Sequence, residues 1–296
     1  MSRIQDILNK AERDGAMRRT RPLGSETSAA AALAAPAPMA RPIVEPPAPP
    51  PPIEPQAVPG WSAAAAVAPP VVQIDRRLAA ALAPQSLAAE QYRSVRTRIR
   101  QAENGRPLRA ILVTSPGKGD GKSLTAANLA LTMAQEFQQR VLLVDSDLRR
   151  PTVHRLFGLQ QSPGLVDILM GGSTLEESLV SIAEHHLTIL PSGPVPTRPA
   201  ELLGSSAMRR LLDTVRTQFD RVLLDMPPVA PLADVSIVAS MIDGVLMIVR
   251  AGATTKPAIE RALSGLDASK VLGIVLNEAG SDGAGYAYDG YGYIGG

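Results

Sequence analysis

The chain has 296 residues, 45% of them apolar, which is enough for one or two domains with a sizeable core. It contains no cysteine, which excludes disulfides and cysteine-ligated zinc and suits a reducing cytoplasm. The formal net charge of +2, with no Lys/Arg block interleaved with aromatics, argues against a nucleic-acid partner.

Residues 1–21 place Ile4, Ile7, Leu8 and Ala11 at helical spacing, which predicts a short amphipathic helix. Residues 22–77 are rich in Pro and Ala, with four consecutive prolines at 49–52, and lack the apolar periodicity needed to offset the entropy of ordering. A disordered, partly polyproline linker is expected there. The sequence shows neither an apolar signal-peptide core nor a run of 18 apolar residues, so the expectation is a soluble chain recruited to a membrane through another protein. Folding is expected to begin near residue 78. Residues 86–99 read as a helix with Ser86 as N-cap, and Glu90, Arg93 and Arg96 form a charged stripe along it. Taken alone, such a stripe is a solvated face with a weak intrahelical pair.

Apolar runs of strand length then alternate with helical segments. Strands are predicted at 110–115, 141–144, 187–190, 222–224, 244–249 and 271–276, and helices after the first strand to about residue 137 and at 207–218, 233–241 and 257–266. Continuous apolar strands separated by helices predict an α/β domain over residues 78–280, a P-loop NTPase-type parallel sheet with helices on both faces. Residues 281–296 are left as a flexible, tyrosine-rich tail.

Between the first strand and its helix lies P-G-K-G-D-G-K-S, residues 116–123. A glycine-rich turn from a buried strand into a helix converges backbone N–H groups and a positive helix end on an anion. Gly117, Lys118, Gly119, Asp120, Gly121, Lys122, Ser123 and Leu124 are therefore the candidate ATP-binding residues, with Lys122 reaching the outer phosphates and Ser123 on Mg²⁺. The motif asks for glycine where this chain has Pro116, so the loop is a variant. In a parallel sheet ligands bind outside the carboxyl ends of the strands. Asp145 and Asp147 follow the second predicted strand and Asp225 the fourth, so three carboxylates arrive at the edge that would hold phosphates. Their mutual repulsion there calls for a cation, and Mg²⁺ is expected. Phosphoryl transfer then needs a group that orients or deprotonates the nucleophile. Asp145 and Asp147 are the candidates, and the sequence does not divide the two roles between them. Arg149 and Arg150 either stabilise transferred charge or brace the loop.

Four of the five tyrosines, Tyr286, Tyr288, Tyr291 and Tyr293, lie in the Gly/Ala-rich tail. The roughly 15 residues from Asn277 to Tyr293 can extend about 50 Å at about 3.3–3.6 Å each, enough to reach the active site of a neighbouring copy. A flexible chain presenting phenols beside acidic residues is what a tyrosine phosphate acceptor looks like.

Residues 114–123, 142–151 and 222–228 together resemble the Walker A, A′ and B motifs of the bacterial tyrosine kinases, the cytoplasmic autokinases of capsule and exopolysaccharide systems. The resemblance runs from about Ser86 to the C-terminus and includes 199–203 and the tyrosine cluster. It implies a tyrosine autokinase with ATP and Mg²⁺ as cofactors, Asp145 at the metal and hydroxyl, and Asp225 on Mg²⁺. It further implies tail tyrosines phosphorylated in trans, and Glu90, Arg93 and Arg96 as the E-x-x-R-x-x-R element joining copies into a ring. A separate transmembrane chain-length regulator as activator, a cognate tyrosine phosphatase and a location at the inner face of the plasma membrane are implied as well. Members associated with exosortase systems are similar in their basic N-terminal helix and Pro/Ala linker. The main alternative is a partitioning or cell-division ATPase switch. Such proteins carry lysine at the second position of the loop, where this chain has Gly117 with Lys118 one residue later. A further alternative is a regulatory ATP-binding module whose tail is an unmodified docking peptide. No eukaryote-type kinase motif is present.

Overall fold

The computed structural model describes residues 73–103, 105–136, 139–229 and 234–279. The expected N-terminal helix, most of the linker and the tyrosine-rich tail lie outside the described residues. Seven strands form one sheet: β1 (Ala110–Thr114), β2 (Val141–Asp145), β3 (Val180–Ile182), β4 (Leu187–Leu190), β5 (Arg221–Asp225), β6 (Gly244–Arg250) and β7 (Val271–Asn277). Their order is β3-β4-β2-β5-β1-β6-β7, parallel except for β3, which runs antiparallel to β4 at one edge. The six predicted strands are present. β3 went unpredicted because three residues, of which only Ile182 is buried, carry no readable alternation.

Successive residues of β1 enter different cores, as the two-residue repeat of a strand requires. Ala110 and Leu112 pack with Leu142, Leu224, Met208, Leu211 and Val215 on one face. Ile111 and Val113 pack with Leu143, Leu223, Leu129 and Phe157 on the other. Nothing on β1 or β2 is exposed, so these strands read as unbroken apolar runs.

On the second face lie α1 (Ala79–Leu82), α2 (Leu87–Gln101), α3 (Lys122–Ala134) and α4 (Val153–Leu156). Ser86 caps α2 as predicted, its hydroxyl accepting from Ala89 N at 3.2 Å. The central helix, α3, buries ten residues, three of them polar, and one of these, Asn128, ties the incoming chain to the helix: its carboxamide accepts from Ala80 N and donates to Arg77 O. Residues 73–77, at the end of the segment read as linker, run along the domain, where Asp75 N donates to Leu156 O at 2.8 Å. On the opposite face α5 (Leu165–Leu169), α6 (Leu175–Ser178), α7 (Pro199–Leu203), α8 (Ser206–Gln218), α9 (Asp234–Ala239) and α10 (Lys256–Ser264) complete the described α-helices. Met208, Leu211, Leu212 and Val215 of α8 are buried at the i, i+3, i+4, i+7 spacing expected of a helix with one apolar stripe.

Candidate functional site

Asp145 at the end of β2 pairs in register with Asp225 at the end of β5, and Val113 of β1 lies beside Asp225 on its other side. Three adjacent strands therefore end level, and the loop leaving β1 starts beside both carboxylates. That loop is self-braced. Ser115 Oγ donates to Gly117 O at 2.6 Å, and Gly117 N to Asp120 Oδ2 at 2.8 Å. Thr254 Oγ1 donates to Asp120 Oδ1 at 2.8 Å, and Asn277 Nδ2 to Asp120 O at 2.9 Å. The loop thus rests on the ends of β6 and β7.

The loop's left-handed turns fall at Gly119 (φ 81°) and at Gly121 (φ 90°). Pro116 has its φ fixed near −65° by its ring and is buried, so it makes neither turn. Gly121 is required twice over, since a Cβ there would collide with Asn277 Nδ2 in addition to straining φ. Gly121→Ala is expected to push Asn277 away, cost about 2 kcal/mol or more of stability and weaken nucleotide binding at least tenfold. Thermal denaturation and equilibrium binding of a fluorescent ATP analogue check both effects.

Lys122, the first residue of α3, directs its ammonium at the strand ends, 2.7 Å from Asp147 Oδ2, 3.1 Å from Ser123 Oγ and 3.5 Å from Asp225 Oδ1. Burial opposes its charge, but Asp225 and Asp147 outweigh it and hold its pKa above the ordinary lysine value. Asp145 is fully buried, and one of its oxygens accepts from Thr152 N at 3.0 Å and Val153 N at 2.9 Å, capping α4. Burial, with Asp225 alongside, pushes its pKa up to about 8. Burial likewise raises the pKa of Asp225.

Asp145 Oδ1 and Asp225 Oδ2 are buried without a hydrogen-bond partner. Two unsatisfied carboxylate oxygens at one level, with the Ser123 hydroxyl beside Asp225, are a fitting donor set for a hard divalent cation. Among the described residues no group of three or more acidic or histidine side chains could hold a metal by itself. A cation here would need phosphate oxygens as well, which is how Mg²⁺ binds with nucleotides.

These groups floor a cleft of about 870 Å³. Of the predicted nucleotide-binding residues, Lys118, Gly119, Gly121, Lys122, Ser123 and Leu124 line it, as does Asp147. Gly117 and Asp120 do not; they are spent on bracing the loop. Asp145 and Asp225 lie beneath the lining. Arg149 is held in a bidentate pair with buried Asp234, at 2.7 and 3.1 Å, so it braces the loop after β2 against α9. The side chain of Arg150 stands exposed on the rim, while its backbone N–H donates to Asp147 Oδ1 at 3.1 Å.

Sequence reasoning missed Arg77 and Thr254. Arg77 reaches the cleft from the stretch read as linker, and no motif marks it. Thr254 acts from the β6–α10 turn, far from the loop in sequence. Arg93 and Arg96 both have partners within the chain. Arg93 pairs with Glu90 at 2.7 Å and donates to Pro84 O, while Arg96 donates to Thr132 O at 2.7 Å and lies 3.3 Å from Glu136. Tyr286, Tyr288, Tyr291 and Tyr293 lie outside the described residues. Tyr92, the one tyrosine among the described residues, is half-buried, and burial raises the pKa of its phenol despite hydrogen bonding with Thr125 and Asn128.

A family model described as "NUBPL iron-transfer P-loop NTPase", of the ParA group, matches residues 108–282. The chain is 40% identical over 207 residues to the tyrosine-protein kinase YwqD of Bacillus subtilis, covering 69% of this chain and 87% of that one. Among solved structures, the chimerical protein CapA2B2 superposes with a TM-score of 0.66 at 33% identity, over 70% of this chain and 92% of the other. The kinase domain of the Escherichia coli tyrosine kinase ETK gives a TM-score of 0.62 at 28% identity, over 73% and 84%.

Proposed function

This chain belongs to the ParA-type P-loop NTPases and, within that fold, to the bacterial tyrosine-protein kinases, and on that premise we propose that it is an ATP-dependent tyrosine autokinase acting in trans on Tyr286, Tyr288, Tyr291 and Tyr293. The observation that carries the reading is the meeting of Lys122 with Asp147 and Asp225 above two unsatisfied buried carboxylate oxygens. That arrangement suits the triphosphate of ATP and a divalent cation.

In the proposed reaction Lys122 leaves Asp147 for the outer phosphates as ATP enters. The amides around Gly119 and Gly121 and the start of α3 hold the inner ones. Mg²⁺, held by Ser123, Asp225 and the free oxygen of Asp145, would neutralise charge on the β- and γ-phosphates when bound. The phenolic oxygen of the incoming tyrosine bonds to the γ-phosphorus, and the bond from that phosphorus to the β,γ-bridging oxygen breaks. ADP leaves with the electron pair, and the phenol proton passes to Asp147, the one of the two A′ aspartates that lines the cleft. Asp145 stays behind it, fixing the backbone at Thr152 and Val153.

The reading extends to regulation of exopolysaccharide or capsule synthesis, with a separate membrane-spanning activator, a phosphatase and an inner-membrane location. The family resemblance supports these. No helix among the described residues is long and apolar enough to cross a membrane. A ring of copies is proposed around Glu90, Arg93 and Arg96. Because Arg96 ties α2 to α3, Arg96→Ala is expected to cost about 1–2 kcal/mol of stability by itself. Glu90 is half-exposed, so Glu90→Ala is expected to shift stability by about 0.5 kcal/mol or less while weakening self-association. Light scattering during size-exclusion chromatography reads this; unchanged assembly removes Glu90 from the interface.

The deciding experiment incubates the full chain with γ-labelled ATP and Mg²⁺, beside a variant with all four tail tyrosines changed to Phe. Label on tyrosine that vanishes in the variant is the expected result. ATP hydrolysis without tyrosine labelling, even with a membrane activator added, would instead favour the ATPase-switch alternative.

A further inference from the structure

Two arginines of the cleft have no part in the phosphate loop or the metal position. Arg77 is exposed, and Asp75 clamps its guanidinium from one side, accepting from Nε at 2.9 Å and from a terminal nitrogen at 2.8 Å. The clamp is anchored, since Asp75 N donates to Leu156 O and Asn128 donates to Arg77 O. A guanidinium has five N–H donors and Asp75 occupies two, so the side turned from Asp75 retains donors in a fixed orientation. Arg150 makes no side-chain hydrogen bond or ion pair among the described residues, and its backbone is tied to Asp147. Arg77, Arg150, Thr152 and Leu156 all line the cleft, and Asp75 N bonded to Leu156 O brings the Arg77 turn beside the helix that follows Arg150. Lys122 and Arg149, by contrast, are already committed to Asp147 and Asp234.

From these two arginines lining one cleft we infer that Arg77 and Arg150 form a phosphotyrosine site: they hold a phosphotyrosine already made on the tail of a second copy while a neighbouring tyrosine of that tail occupies the transfer position. The inference rests on the autokinase reading and gives it an order of events. Guanidinium groups match phosphate oxygens in paired hydrogen bonds, and a phosphotyrosine brings about −1.5 to −2 charges. The tail spacing agrees, because Tyr286/Tyr288 and Tyr291/Tyr293 are each two residues apart. In an extended strand such pairs point the same way, about 7 Å apart. The backbone N–H of Arg150 is bonded to Asp147, so a phosphate held by the Arg150 side chain would lie on the same side of the cleft as the aspartate that takes the next phenol's proton. The first phosphorylation would then promote the second on the same tail.

The test uses the full chain with the four tail tyrosines changed to Phe, so that its own tail neither competes nor becomes modified. Fluorescent peptides of residues 279–296, unmodified or phosphorylated at Tyr291, are titrated without nucleotide, with inorganic phosphate as competitor. The phosphopeptide is expected to bind at least tenfold more tightly, and the Arg77→Gln/Arg150→Gln variant to lose that preference. Asp75→Asn keeps the guanidinium but removes its clamp, and should weaken the preference severalfold. Melting curves identify any variant that fails to fold, and the Asp75 and Arg150 single changes then carry the test.

Equal affinity for the two peptides overturns the inference. So does a double variant that loses affinity for an ATP analogue but keeps the phosphopeptide preference, since the arginines would then belong to the nucleotide. A second arm follows labelling of the same peptides with γ-labelled ATP. Selective binding without any labelling of tyrosine, even with a membrane activator added, leaves the site standing and removes the autokinase reading. Labelling at equal rates with equal binding removes the site alone.

Discussion

Replacing Lys122 by Met is expected to lower ATP affinity by about 100-fold and tyrosine labelling by about 10³-fold or more, because a charge-assisted contact to the phosphates is lost both on binding and as charge develops in transfer. The same substitution has a second signature in the nucleotide-free domain. Lys122 is the only cation within 4 Å of Asp147 and Asp225 among the described residues. Both carboxylates are nearly or wholly buried, at 5% and 0% exposure. Removing one partner of a buried charge set leaves the rest uncompensated, typically at about 3 kcal/mol. The loss should be largest at pH 8 and shrink towards pH 5, where Asp225, its pKa raised by burial, can take up a proton. Chemical denaturation at the two pH values, beside nucleotide titration, separates the effects. A variant as stable as the parent at both would show that Lys122 does not compensate these acids.

Asp145→Asn is expected to stabilise the nucleotide-free domain while abolishing phosphoryl transfer. The pKa of Asp145 rises from 3.8 to about 8 on folding. Between those values the folded chain holds a proton that the unfolded chain has released, so stability falls as pH rises through the window from about 4 to 8. Below it the residue carries its proton in both states and contributes no pH dependence. Asparagine removes this titration. Its oxygen can still accept from Thr152 N and Val153 N, and its new N–H₂ group stands beside Asp225 in register. The gain should be absent near pH 4 and grow steadily towards pH 8. The parent should recover much of that difference when MgATP is added, through the mass action of a ligand that binds only the folded state. A stability profile with the same slope in parent and variant from pH 4 to 8 would refute the assignment.

Much of this site was legible beforehand because its chemistry is local in sequence. The segment 116–123 names its own role, since a strand, a glycine-rich turn and a helix occur in succession and only the turn has to be read. Asp145 and Asp225 were equally accessible, because each ends an apolar run and parallel strands finish on the same edge. What could not be read was how each carboxylate is used. Asp145 caps a helix with one oxygen and leaves the other free, whereas Asp147 meets Lys122 in the cleft. Both aspartates look alike in sequence, and only the direction of the chain after residue 145 tells them apart. The stripe at Glu90, Arg93 and Arg96 was similarly ambiguous, because the position of Thr132 and Glu136 opposite Arg96 is a property of packing.

By itself the sequence determined the α/β class, six of the seven strands, the phosphate loop and the carboxylates that face it, since all follow from hydrophobic period and from residues adjacent in the chain. Only the tertiary structure decided that Thr254 and Asn277 hold the loop from more than 130 residues away, that Arg149 is committed to Asp234, and that Arg77 comes to the cleft from the stretch read as linker. Those contacts join segments whose separation along the chain leaves no periodic or motif signal; their partners are fixed by where the strands end and by which buried polar groups must be satisfied.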